Sequence, residues 1–115
     1  MLKQAYRLRC AEDLKRVRQH GQTWRHPLLI LVISPNGLQM SRFGFVTSRR
    51  VGTAVLRNRT KRLLRESVRL ALDQIDTGWD CLLIARPALA HKSFADVQTA
   101  VYQLMHRAKI MVDVD

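Results

Sequence analysis

Between Ala54 and Leu72 the chain carries apolar and cationic residues in an order that only a helix can sort. At about 100° per residue, Leu56, Thr60, Leu63, Ser67 and Leu70 gather on one side, the side suited to packing on a sheet. Asn58, Arg62, Arg65 and Arg69 gather on the other, with Lys61 beside them and Arg57 and Arg59 on the two borders. Thr53 stands where the helix needs an N-cap acceptor. A helix so divided must rest one face on a core, and the remaining segments have to supply it.

They read as follows. Ala11 to His20 is a short helix, with Leu14 and Val17 on one side and Gly21 as its stop. Trp24 to Ile33 is apolar and β-branched enough for one strand, and Pro35-Asn36-Gly37 turns the chain. A second strand covers about Phe43 to Ser48, with Phe43, Phe45 and Thr47 on one face. Asp80 to Ala85 is a third. Ser93-Phe94-Ala95-Asp96 opens a last helix with Phe94, Val97, Val101, Leu104 and Ala108 at core spacing. The predicted order is α-β-β-α-β-α in a single α+β domain over residues 1–115, with loose ends at about 1–8 and 110–115.

The charge is uneven. Twenty Lys and Arg face nine Asp and Glu, a formal +11. From Arg42 to Arg69 there are nine basic residues and one acid, Glu66, so the excess is concentrated around the long helix. Like charges three and four residues apart repel by a few tenths of a kcal/mol each, so a merely solvated helix mixes its signs. This one accepts a repulsion that a polyanion would relieve, and Arg49 and Arg50 add two cations just ahead of it. Ser48 to Gly52 also offers backbone N–H groups near a helix start, a weak phosphate-binding signal. Arg outnumbers Lys, and its planar fork suits phosphate and stacked bases. Nucleic acid is therefore the favoured partner. No apolar run nears the roughly 20 residues of a membrane span, and Met1-Leu2-Lys3-Gln4 lacks the apolar core of a secretory signal. Cys10 and Cys81 form no CxxC pair and read as reduced thiols of a cytoplasmic protein.

Catalytic chemistry is thin. His20, His26, His91 and His106 make no i, i+4 pair and no HExxH, and no serine sits in a nucleophile elbow. Asp73, Asp76 and Asp80 are the nearest approach to an acidic group, and helix-end and turn chemistry accounts for them. No catalytic and no metal-ligating residue is predicted.

Arg42-Phe43-Gly44, Ser48-Arg49-Arg50-Val51-Gly52, Ala54-Val55 and the run Arg57-Asn58-Arg59-Thr60-Lys61-Arg62-Leu63-Leu64-Arg65-Glu66 resemble the signature of the bacterial ribonuclease P protein family. The match extends through Asp80 to Arg86 and back to the first helix. The resemblance implies an α/β sandwich with a left-handed βαβ crossover. It implies a partner, the ribonuclease P catalytic RNA, which itself carries out Mg2+-dependent removal of the 5′ leader of precursor tRNA. The protein alone would bind no cofactor and need no protein partner. Arg57, Asn58, Arg59, Lys61, Arg62 and Arg65 would contact the catalytic RNA, joined by Arg49, Arg50 and Arg69. Arg49 and Arg50 replace the family's usual Lys-Lys.

The resemblance also implies a cleft for the single-stranded leader between the sheet and the first helix. There this sequence departs from the family, whose aromatics are replaced by Leu14 and Arg18 on the helix and by Leu29 and Leu31 on the strand. Arg9, Leu14, Arg18, Leu31, Phe43 and Phe45 are the candidates for that cleft, although core packing is the simpler role for the two phenylalanines. Val68 replaces a frequent Phe as a packing change. Two rivals remain open: a ribosomal-type RNA-binding module, and a DNA-binding protein. The first conflicts with the ordered arginine motif. The second lacks any helix-turn-helix, finger or zipper pattern.

Overall fold

The computed structural model describes residues 2–112. Its elements are α1 (Ala11–His20), β1 (Gln22–Arg25), β2 (Leu29–Pro35), β3 (Arg42–Val46), α2 (Ala54–Ala71), β4 (Trp79–Ala85) and α3 (Phe94–Arg107). The class is α+β, with one strand more than predicted. The apolar run from Trp24 to Ile33 is a hairpin, not one strand. Pro27 has no N–H to give a ladder, and His26 closes the turn, its Nδ1 accepting from Leu28 N at 3.0 Å. β1 and β2 then pair antiparallel from Gln22↔Ile33 to Arg25↔Ile30.

The strand order is β1-β2-β4-β3. β4 runs antiparallel to β2 and parallel to β3, so β3, α2 and β4 form a βαβ unit. Alternation divides the sheet into two unlike faces. Leu29, Leu31, Ile33, Phe43, Cys81, Leu83 and Ala85 lie in the main core, together with residues of α2 and α3 such as Leu64, Val68, Val97 and Leu104. On the opposite face, Val32 and Leu82 pack with Leu8 and with Val17 of α1. Burial also pushes the Cys81 thiol far up, leaving it inert as well as enclosed.

The inward face of α2 differs from the one read off the wheel. Thr60, Leu64, Ser67, Val68 and Ala71 are buried, whereas Leu70 is 48% exposed. The helix packs against α3 as well as the sheet, which turns its buried arc toward Leu64, Val68 and Ala71. Thr60 and Ser67 tolerate burial because their hydroxyls donate to the carbonyls of Leu56 and Leu63, both at 2.8 Å. Thr53 caps the helix as predicted, accepting from Leu56 N. Gly21 ends α1 for a reason other than a left-handed turn. Its φ is −78°, and a Cβ there would lie 2.5 Å from Val17 O and 2.7 Å from Ile33 O. The helix end simply passes too close to β2 for a side chain.

The segments expected to be loose, about 1–8 and 110–115, contain buried residues among those described. Leu2 and Leu8 are buried, and Arg7 bridges Phe43 in parallel, so the N-terminal segment covers the outer edge of β3. At the other end Ile110 is buried and Met111 bridges Ile75. Met1 and residues 113–115 lie outside the described residues.

Candidate nucleic-acid interface

The cations of α2 leave the helix in three directions. Asn58, Arg62 and Arg69 are exposed on its outer side. Arg69 is partly neutralised there by Glu66, whose carboxylate accepts from Arg69 Nε at 3.0 Å and is held below its ordinary pKa by that bond. Arg59 reaches back to the protein. Its guanidinium donates to Ala90 O at 2.6 Å and to Lys92 O at 3.2 Å, so it fastens the 3-10 turn Pro87–His91 to the helix. Lys61 and Arg65 drop toward the edge of β3, where Arg65 sits 6.0 Å from the centroid of the Phe45 ring. Arg65 is held below the usual arginine range by burial first and by the charges of Arg7 and Arg9 second.

Arg49 and Arg50 are exposed on a 3-10 turn, Arg49–Val51, just ahead of α2, and Arg57 is half-buried in its first turn. The N–H groups that the sequence suggested for phosphate are engaged internally. Arg50 N donates to Ser48 Oγ, Val51 N to Ser48 O and Gly52 N to Arg49 O. Gly52 has φ +135°, a conformation that explains the glycine.

The face of the sheet beneath α1 is only partly covered. Ile30, Ile84 and Val46 form one row across three strands, set by the registers Ile30↔Ile84 and Val46↔Ile84. They and Leu14 of α1 are half-buried around the small core of that face. Arg18, one turn after Leu14, is exposed. Arg86 follows Ile84 at the end of β4, and its Nε is buried without a hydrogen-bond partner among the described residues.

This geometry corrects half of the predicted cleft. Leu31 and Phe43 are 1% exposed and belong to the main core on the opposite face, and Phe45 packs against that core too. They cannot share a cleft with Leu14. Strand parity separates them: the odd positions of β2 and β3 face α2 and α3, the even positions face α1. Leu14 and Arg18 remain beside the open row, and Arg9 is exposed at the β3 edge.

Asp80, read from the sequence as turn chemistry, proves to be the hub that seats α1. It is fully buried. Its carboxylate accepts from Arg42 at 2.9 and 2.8 Å, from Asn36 Nδ2 at 3.0 Å and from Arg16 of α1. Burial alone would raise its pKa, but the bonds from Arg42, Asn36 and Arg16 outweigh it and hold the group below the usual carboxylate range. Asp13 adds a second acid to the two arginines. Among the described residues no three His, Cys, Asp or Glu side chains come together as a metal site.

Comparison with known proteins decides the family. The family model for ribonuclease P matches residues 2–109. The chain belongs to the ribonuclease P protein family. It is 49% identical over 111 residues to the ribonuclease P protein component of Roseiflexus sp. strain RS-1, covering 96% of this chain and 91% of that one. It is 41% identical over 112 residues to the component from Herpetosiphon aurantiacus, covering 97% and 91%. Among solved structures, the RNase P protein of Thermotoga maritima matches with a TM-score of 0.81 at 30% identity, over 88% of this chain and 96% of that one. The Staphylococcus aureus RNase P protein matches at 0.85 and 26%, over 93% and 98%. A ribonuclease P protein is a subunit of the endoribonuclease that matures the tRNA 5′ end, which accounts for a cationic surface. Reading the sequence missed Arg7, Arg16, Arg42, Asp80 and Arg86. Asp80 had a usable signal: an acid at the head of an apolar strand has to be paired.

Proposed function

We propose that this ribonuclease P protein binds the catalytic RNA along the outer side of α2 and holds the 5′ leader of precursor tRNA against the half-covered row beneath α1. Arg49, Arg50, Arg57, Asn58, Arg62 and Arg69 supply the first surface, with Lys61 and Arg65 at its edge. Leu14, Arg18, Ile30, Val46, Ile84 and Arg86 supply the second. The separation of these surfaces by the sheet supports the reading most directly. One presents cations in the open, the other an apolar row ending in an arginine whose Nε has no hydrogen-bond partner among the described residues. A protein so built neutralises phosphates and positions a substrate, letting two polyanions approach each other.

In this reading the RNA carries the hydrolysis and the Mg2+ it requires, and no side chain of this chain enters the reaction. No further protein partner is involved, and the complex works in the cytoplasm. No helix of the described residues is long and apolar enough to cross a membrane. Arg59 contributes to the RNA surface only by fixing the 87–92 segment.

The test is cleavage of a precursor tRNA by a cognate bacterial ribonuclease P RNA at low Mg2+, with and without the protein, and with the protein alone. Rescue of the RNA and silence of the protein alone are expected. Cleavage by the protein alone, or no rescue, overturns the proposal. If about six phosphates are neutralised, log K falls with log salt at a slope of about −4 to −5, and a flat response removes the electrostatic basis.

A further inference from the structure

The N-terminal segment and α2 meet over the outer edge of β3. Leu8 N donates to Phe43 O at 2.8 Å and Arg7 bridges Phe43, so residues 7–9 run beside the strand like a short added strand. The segment is held from its other end as well, because Arg7 Nε donates to Leu2 O at 3.0 Å. Between this segment and α2 lies a pocket of about 180 Å³. Four cations line it, Arg7, Arg9, Lys61 and Arg65, and no acid does.

Ion pairing elsewhere is confined to a few arginines. Arg16, Arg42 and Arg69 each have a carboxylate partner, whereas none of these four forms an ion pair among the described residues. Gathering four like charges around one small space costs stability unless an anion enters it. Two of the four are held in place. Arg65 is stacked beside Phe45, and Arg7 is tied to backbone at both its main chain and its side chain. Fixed arginine forks suit the tetrahedral oxygens of phosphate better than a single carboxylate. At roughly 30 Å³ per water, the space holds about six waters, enough for one phosphate with its nearest sugar oxygens.

The position is as informative as the charge. Phe45 belongs to the α2 side of the sheet, while Leu8 belongs to the small core under α1. A Cβ at Gly44 would lie 2.9 Å from Leu14 Cδ2 and 3.1 Å from Leu8 O, so this glycine brings α1 and the N-terminal segment close to β3. The pocket therefore sits at the seam where the α2 surface meets the α1 face.

We infer that Arg7, Arg9, Lys61 and Arg65 form a single phosphodiester-binding pocket at the β3 edge, gripping one RNA phosphate at the seam between the two RNA-binding surfaces. The inference rests on the RNA-binding reading above and adds to it a defined subsite, in which Arg7 is newly assigned and Arg9 moves here from the leader cleft. The phosphate belongs either to the catalytic RNA or to the precursor.

The first experiment needs no RNA. Thermal melts of the full chain are run in inorganic phosphate and in chloride of equal ionic strength, for the wild type, Arg9→Ala, Arg65→Gln and the control Lys15→Ala, an exposed cation outside both the pocket and the α2 surface. Phosphate should raise the melting temperature of the wild type and of Lys15→Ala, and most of that increment should vanish in the two pocket variants. An increment retained in both pocket variants overturns the inference.

The second uses the protein with catalytic RNA, and with precursor and leaderless tRNA on the assembled complex. Each pocket variant should weaken RNA binding on the order of 5- to 10-fold and flatten the salt slope by about 1. The double variant should lose less than the product of the two, because both arginines hold one phosphate. Strictly multiplicative losses overturn the single-site claim. Loss of catalytic-RNA affinity alone assigns the phosphate to that RNA, and loss of the leader-dependent increment assigns it to the substrate. A wild-type protein that responds to phosphate yet binds neither RNA would defeat the RNA-binding reading and leave the anion pocket standing.

Discussion

The two faces of one sheet are built for opposite ends. Beneath α2 and α3, Leu29, Leu31, Phe43, Leu83 and their neighbours are sealed in a continuous core. Beneath α1 the apolar residues enclosed, among those described, are Leu8, Val17, Val32 and Leu82, and Ile30, Val46 and Ile84 are left half-covered. The strands are the same, so the difference comes from what lies over them. Two helices of 18 and 14 residues close the first face, whereas one of 10 cannot close the second. A chain of this size places its stability on one face and leaves the other thin enough to serve as a surface.

The comparison breaks most sharply at neighbouring residues of β4. Leu83→Ala should cost about 3–4 kcal/mol in urea unfolding, since its side chain is wholly enclosed in the larger core. A cost below about 1 kcal/mol would mean that this face is not the stable one. Asp80→Asn comes next, at about 2–3 kcal/mol. It leaves Arg42 and Arg16 with only the longer pairs to Asp13, and the figure is discounted because both arginines keep some solvent contact. Its pH signature is more diagnostic. The carboxyl of Asp80 titrates lower folded than unfolded. Its contribution is therefore complete above about pH 4 and fades as pH falls through the lower folded value. Wild-type stability should decline in acid more steeply than that of Asp80→Asn, and parallel curves would show that Asp80 is not the clamp.

Ile84→Ser tests the thin face. A half-buried residue at its rim should cost only about 1 kcal/mol, while the extra affinity that a 5′ leader gives to precursor tRNA falls several-fold. A loss of stability as large as that of Leu83→Ala, with leader affinity unchanged, would make this row ordinary core.

How much of this was legible depended on whether the signal was local. The cap at Thr53, the α1 bounds and the core spacing of Val97, Val101 and Leu104 are set within a few residues, and they stand as read. The hairpin at His26 was hidden because the six apolar residues Leu28–Ile33 dominate the segment, and only a proline and a histidine mark the turn before them. The wheel placed Leu70 inward because it had no knowledge of α3, whose packing rotates the buried arc. The cleft failed at Leu31, Phe43 and Phe45 for a related reason. Alternation shows which residues share a face, but not which face α1 covers. The cationic stripe was read correctly as a density of charge, and the three directions its side chains take were not, because Arg59 and Arg65 answer to backbone and ring partners far away in sequence.

Within that stripe the smallest effect on stability separates two arginines three residues apart. Arg62 is exposed and makes no ion pair among the described residues, so Arg62→Ala should shift stability by no more than about 0.5 kcal/mol. Catalytic-RNA affinity should nevertheless fall several-fold, with a salt slope lower by about 1. Arg59→Ala should behave the other way round, costing about 1 kcal/mol through the lost bonds to Ala90 O and Lys92 O. Its effect on RNA binding should then appear as a loosened 87–92 segment, visible as faster amide exchange there, and with the salt slope unchanged. If Arg59→Ala lowers the salt slope as much as Arg62→Ala does, Arg59 releases its carbonyls to reach a phosphate, and the outer surface of α2 is wider than its free geometry.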